Sequence, residues 1–141
     1  MGKTKYRDVT KKKINIAEET VQQQVNRFLK LRFPKVPVKF DTLANIYLTV
    51  GQAAKAKRMG HEKGWPDLFV AQPNDIYHGL FIEMKKDGTR LKKMNGDWAT
   101  PHIETQALVL ECLRSKGYKA EFCIGFEETR KLISGYLSKL F

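Results

Sequence analysis

The sequence predicts an α/β domain: a mixed β-sheet flanked by α-helices. Three observations lead there. Apolar residues recur every three or four positions in segments near the start, middle and end of the chain, and short β-rich runs lie between them. The resulting order is α, β, (α), β, β, α, β, α, in which helices alternate with strands that can share one sheet. Finally, 141 residues with 42% hydrophobic content supply one packed core, since a domain takes roughly 100–200 residues.

Residues 1–13 come first as a basic tail, in which Lys3, Lys5, Arg7, Lys11, Lys12 and Lys13 stand against Asp8, a net charge of +5 with little apolar content. Residues 14–141 form the single domain. From Ile16 to about Arg32, Val21, Val25, Phe28 and Leu29 keep the spacing of an amphipathic helix that Phe33-Pro34 ends. Val36-Pro37-Val38-Lys39-Phe40 is extended, while Leu43–Val50 fits a strand or a short helix equally. Ala53, Ala54 and Ala56 make Gln52–Met59 a short helix that Gly60 stops. Asp67–Ala71 and Leu80–Met84 are short apolar runs around the turn residues Gln72-Pro73-Asn74-Asp75, the pattern of a hairpin. A Lys- and Gly-rich loop spans Lys85 to Trp98. Thr100-Pro101 starts a helix in which Ile103, Ala107, Leu110 and Leu113 stay in phase up to Lys116-Gly117. Lys119–Ile124 is a strand and Phe126–Leu140 a final helix.

Charge narrows the partners. Lys and Arg number 26 against 15 Asp and Glu, a net +11 with a pI near 9.7, so a polyanion is the default partner and nucleic acid leads. No apolar run approaches the ~18–20 residues that span a bilayer, and the N-terminus has charges where a signal peptide needs apolar residues. Tyr6 stands where myristoylation needs Ser or Thr. The expected location is the cytoplasm. Cys112 and Cys123 lack CxxC spacing, so they suit reduced thiols better than a disulfide framework or a zinc knuckle. Glu62 follows His61, but Trp65 breaks HExxH, and no GxxxxGK[ST] loop exists. His61, His78 and His102 are scattered, as surface or structural histidines are.

The chemistry centres on Gly64-Trp65-Pro66-Asp67 and, after fifteen intervening residues, Glu83-Met84-Lys85. Alternation along a strand sends Glu83 and Lys85 to one side, and Asp67 opens the strand that would pair with theirs. Two carboxylates and an ammonium then meet at one sheet edge. Mg²⁺ takes one or two carboxylates and keeps waters and phosphate oxygens, and the Met84 carbonyl adds a further oxygen donor. A lysine beside the metal orients water or offsets charge on phosphate oxygens. Without a partner motif, the same residues equally fit a turn cap at Asp67 and a solvated Glu83–Lys85 ion pair.

Two more polar residues fall on apolar stripes. Glu18 precedes Val21, Gln22, Val25 and Leu29 by three, four, seven and eleven positions, which sets it beside the buried face of the first helix. A carboxylate there needs a partner. Gln106 lies three and four positions before Val109 and Leu110, within reach of a metal-bound water or a phosphate. Lys55, Lys57, Arg58 and Lys63 precede Asp67, and Lys86, Arg90, Lys92 and Lys93 follow Lys85; both clusters flank the same edge and suit phosphate contacts. Trp98 offers a ring to stack on an unpaired base.

Gly64-Trp65-Pro66-Asp67-Leu68, Phe81-Ile82-Glu83-Met84-Lys85, and Thr105-Gln106 on a helix ending at Lys116-Gly117-Tyr118 together resemble the VRR-Nuc family of the PD-(D/E)XK nucleases, from about Glu18 to Ile124. The resemblance implies a restriction-endonuclease-like fold and a Mg²⁺- or Mn²⁺-dependent phosphodiesterase. Asp67 and Glu83 would be metal ligands and Lys85 the catalytic lysine, with Glu18 and Gln106 completing the site. Small stand-alone members of that family occur in bacteriophages and bacteria and resemble Holliday-junction resolvases, which act as dimers. The expected activity is therefore an endonuclease acting on branched or junction DNA. The alternative is a non-catalytic basic DNA-binding module in which the Asp67, Glu83 and Lys85 positions are structural. A homodimer supplies two symmetric cuts. Phe126, Leu132, Ile133, Tyr136, Leu137, Leu140 and Phe141 make a face wider than one core-facing stripe, a candidate interface.

Overall fold

The structure is a computed structural model that describes residues 19–43 and 46–138. The basic tail, Glu18, Leu140 and Phe141 lie outside those residues. The elements are α1 (Val21–Arg32), β1 (Val38–Phe40), α2 (Val50–Arg58), β2 (Leu68–Val70), β3 (Leu80–Lys85), α3 (Pro101–Ser115), β4 (Lys119–Ile124) and α4 (Gly125–Leu137). The order matches the expectation from the sequence, and the class is α/β with a mixed sheet.

The four strands run in the order β1-β2-β3-β4, antiparallel from β1 to β3 and parallel between β3 and β4. A parallel pair needs a long crossover, which α3 supplies. Leu80, Ile82 and Met84 point into a core with Val25 and Leu29 of α1, Cys123, and Ile133 and Leu137 of α4. Phe81, between them on β3, faces the other side, where Leu110 and Leu113 of α3 pack over Ala120. Fully burying a Leu or Ile such as Leu80 or Ile82 stabilises the fold by about 1.5–3 kcal/mol each. Phe69 and Phe81, opposite each other in the ladder, stack at 4.4 Å between ring centroids.

Local chemistry sets the helix starts. Thr20 caps α1 and Thr49 caps α2, each in a reciprocal capping box with the Gln three residues on, and Thr100 caps α3 ahead of Pro101. Because Thr20 is extended, α1 begins at Val21 and not at Ile16, so the helical phase used to set Glu18 on the buried stripe stops at the cap. The segment 46–49 is neither strand nor helix.

The apolar face of α4 is also corrected. Ile133, Tyr136 and Leu137 are buried in the chain's own core, and Phe126 and Leu132 pack against it. Since α4 meets α1 as well as β3 and β4, its wide face is used within the subunit. Among the described residues, no helix is long and apolar enough to cross a membrane, and Cys112 and Cys123 are free thiols.

Candidate active site

Strand register assembles the site. β2 and β3 pair Leu68 with Ile82, so one step further along the ladder Asp67 stands beside Glu83. Alternation puts Glu83 and Lys85 on the α3 side of the sheet with Phe81, and Gln106 of α3 reaches down to both. The turn into Asp67 depends on Gly64, which has φ +90° and lies so close to α3 that a Cβ would stand 2.9 Å from Thr105 Cγ2. Trp65 then sets its ring edge-on to Phe81, at 6.2 Å, and Pro66 is buried.

A chain of short polar contacts links the groups. The Met84 N–H donates to Asp67 Oδ2 at 3.0 Å. Gln106 Nε2 donates to Glu83 Oε1 at 2.7 Å, while Gln106 Oε1 accepts from Lys85 Nζ at 2.6 Å. Lys85 Nζ lies 3.7 Å from Glu83 Oε1. The amide of Gln106 thus uses both of its ends to fix the relative position of the carboxylate and the ammonium.

Asp67 is 9% exposed and Glu83 4%, so two carboxyl groups share a poorly solvated place. Burial raises the Asp67 pKa above its ordinary value; it also lifts Glu83 to about 9, with the charge of Asp67 as a further cause. The Lys85 charge opposes both shifts without cancelling them. Glu83 Oε2 is buried and has no hydrogen-bond partner. An orphaned carboxylate oxygen beside a second carboxylate is costly unless a cation or proton joins them.

That donor set fits a hard divalent cation. Among the described residues, no group of three or more His, Cys, Asp and Glu is arranged to hold a metal, and two carboxylates are what Mg²⁺ uses when it retains waters and substrate oxygens. The carboxylates open onto a groove of about 1150 Å³. Its walls include Gln22, Asp41, Lys63, Lys86 and His102.

A solved structure described as a "VRR_NUC domain protein" is similar to this chain, with 33% identity, a TM-score of 0.58, and coverage of 84% of this chain and 85% of that one. The chain belongs to the VRR-Nuc family. No family model and no curated protein matches the sequence.

In this VRR-Nuc domain the residues singled out from sequence fall into three groups. Asp67, Glu83, Met84, Lys85 and Gln106 come together in the groove. Glu18 lies outside the described residues, although its neighbours Glu19, Thr20 and Val21 line the groove. Of the two basic clusters, Lys63 and Lys86 form part of the groove wall; Lys55, Lys57 and Arg58 project on α2, and Arg90, Lys92 and Lys93 lie in the loop after β3. Trp98 packs on Phe122 with ring centroids 5.7 Å apart and lies 4.8 Å beneath Lys92 Nζ, so its ring is engaged within the subunit instead of free for a base.

Several groove residues escaped the sequence reading of the VRR-Nuc site, among them Asp41, Gln22 and His102. Asp41 donates its N–H to the Asp67 carbonyl at 2.8 Å, and its negative charge adds to the rise in the Asp67 pKa. Gln22 Nε2 in turn donates to the Asp41 carbonyl at 3.0 Å. His102, in the first turn of α3, also lines the wall. Only the pairing of β1 with β2, 26 residues apart at Asp41 and Asp67, brings the first of these to the site; no local pattern signals it.

Proposed function

We propose that this domain is a Mg²⁺- or Mn²⁺-dependent endonuclease that hydrolyses DNA phosphodiesters, selective for branched and four-way-junction DNA. Glu83 Oε2 carries the reading: a buried carboxylate oxygen without a partner, next to Asp67 in a groove whose walls also present Lys63, Lys85 and Lys86. Asp67 and Glu83 would hold the cation, with the Met84 carbonyl as a further oxygen donor. When bound, the cation would polarise the scissile phosphate and acidify a water. Lys85, held by Gln106, offsets negative charge on the phosphate oxygens and orients the attacking water. Gln106 is a positioning residue, because it fixes Lys85 against Glu83. Lys63 and Lys86 hold backbone phosphates without reading bases, which suits recognition by shape.

The competing reading, a DNA-binding module with structural Asp67, Glu83 and Lys85, requires a proton shared between Asp67 and Glu83 where the nuclease reading places a cation. Supercoiled plasmid incubated with Mg²⁺ or with EDTA separates the two, since an endonuclease nicks or linearises it only with the cation. Intact plasmid in both, with tight binding retained, would favour the module. A panel of linear, flapped, forked and four-way substrates then ranks the preferred structure. Paired junction cuts call for a homodimer, and sedimentation at twice the chain mass is the expected result.

A further inference from the structure

Between the groove-lining Asp41 and Leu43 on one side and His61 to Trp65 on the other, the chain makes an excursion that carries α2. No residue of α2 is buried. A nine-residue helix without a packed face is marginal in water, and here the reciprocal bonds between Thr49 and Gln52 cap its start. Two features then stand out. Residues 46–60 contain Lys55, Lys57 and Arg58 and no Asp or Glu. Just before the helix, Tyr47 is fully exposed, Ile46 is 56% exposed and Val50 90%.

The ring stands just before the helix and the cations in its last turn; an exposed ring and cations spread along one surface element are the chemistry of a single-strand platform, in which ammonium and guanidinium groups track phosphates while the ring stacks on a base. We infer that the arm formed by residues 46–58 binds a nucleic-acid strand at the mouth of the groove, with Tyr47 stacked on an unpaired base and Lys55, Lys57 and Arg58 on its phosphates. Charge selects this occupant. The arm carries three cations and no acid, so it matches a phosphate backbone, which is negative at every residue, better than a face of a chain in which Lys and Arg outnumber Asp and Glu by 26 to 15. Trp98, the aromatic that sequence alone favoured for stacking, is packed on Phe122. The arm therefore selects substrates in which the strand beside the cut has lost its pairing. This rests on the nuclease reading for its substrate class, yet its contacts need no catalysis.

Binding measured in EDTA, where no turnover occurs, tests it on the full chain. Two fluorescent DNAs are compared by anisotropy, a continuous duplex and the same duplex with a three-nucleotide gap carrying 2-aminopurine. Tyr47→Ala should weaken binding to the gapped DNA about tenfold and leave the duplex within twofold; Tyr47→Trp should restore the preference. Wild type should change the 2-aminopurine emission and Tyr47→Ala should not. Neutralising Lys55, Lys57 and Arg58 to Gln should flatten the salt dependence by up to about 0.7 per strand phosphate released. Equal affinity of Tyr47→Ala and wild type for the gapped DNA would overturn the inference. So would a Tyr47→Ala chain that loses self-association in sedimentation while binding DNA normally, which would make the arm a protein interface. If Mg²⁺ supports no cleavage but gap preference and its loss in Tyr47→Ala persist, the nuclease reading fails and the arm assignment stands. Cleavage with no Tyr47 effect is the reverse.

Discussion

Glu83→Gln should stabilise the metal-free protein at pH 8 while removing its activity. Glu83 carries a pKa of about 9 in the folded chain against 4.5 for the free side chain, with burial as the main cause and the Asp67 charge behind it. A raised carboxylate pKa means that the folded state holds the proton more tightly than the unfolded state. Stability from this group is therefore fully present below pH ~4.5 and is lost as pH rises through the folded value. At pH 7.5, three units above the unfolded value, the loss is about 4 kcal/mol at most, at 1.36 kcal/mol per unit. Gln keeps the shape and the acceptor for Gln106 Nε2 but never has to ionise. Loss of the Lys85 partner at 3.7 Å takes back part of the gain. Thermal melts followed by circular dichroism at pH 5, 6.5 and 8 in EDTA read the difference. Wild type and variant should melt close together at pH 5 and separate by up to ~15 °C at pH 8, on the basis of roughly 2–4 °C per kcal/mol in a chain of about this size. Millimolar Mg²⁺ should raise wild type and not the variant, because a ligand of the native state alone stabilises it. Parallel pH profiles in EDTA would refute both the buried-charge account and the cation fit that follows from it.

Other outcomes follow from the same geometry. Lys85→Ala should still give a Mg²⁺-dependent rise in melting temperature but no turnover, whereas Asp67→Asn should lose both and bind DNA as tightly as wild type or tighter, as read by anisotropy. Binding should weaken with salt at a slope of roughly −0.9 per duplex phosphate neutralised, and deletion of residues 1–13 should make that slope shallower without moving the cut. Gly64→Ala should destabilise by about 1–3 kcal/mol in urea titrations and lower cleavage, since φ +90° and the 2.9 Å approach to Thr105 leave no space for a Cβ. Tyr136→Asp should unfold the domain by about 3–5 kcal/mol instead of giving a folded monomer, because Tyr136 is 5% exposed and its hydroxyl donates to the Gln72 carbonyl at 2.6 Å.

The sequence by itself determined what depends on periodicity and local chemistry. Alternation along Leu80–Lys85 puts Glu83 and Lys85 on one side whatever surrounds them, and Gln106 follows from its phase on a helix that Thr100-Pro101 starts. The mixed sheet was legible for the same reason: helices and strands repeat at different periods, and the run between β3 and β4 has the length of a crossover helix. Only tertiary structure decided what depends on partners distant in the chain. The start of α1 at Val21 belongs partly with the local group, since Thr20 and Gln23 form a capping box that the apolar stripe masked. Asp41 reaches Asp67 through the pairing of β1 with β2. The face of α4 is taken up by α1 and the sheet, and the ring of Trp98 by Phe122 and Lys92. Helical wheels give the width of an apolar face, but the number of elements that share it is a property of the packed domain. The stress at the site is of that kind too. Two carboxylates separated by fifteen residues become one buried pair only when β2 and β3 align, and burial, a property no single residue has alone, moves their proton affinities.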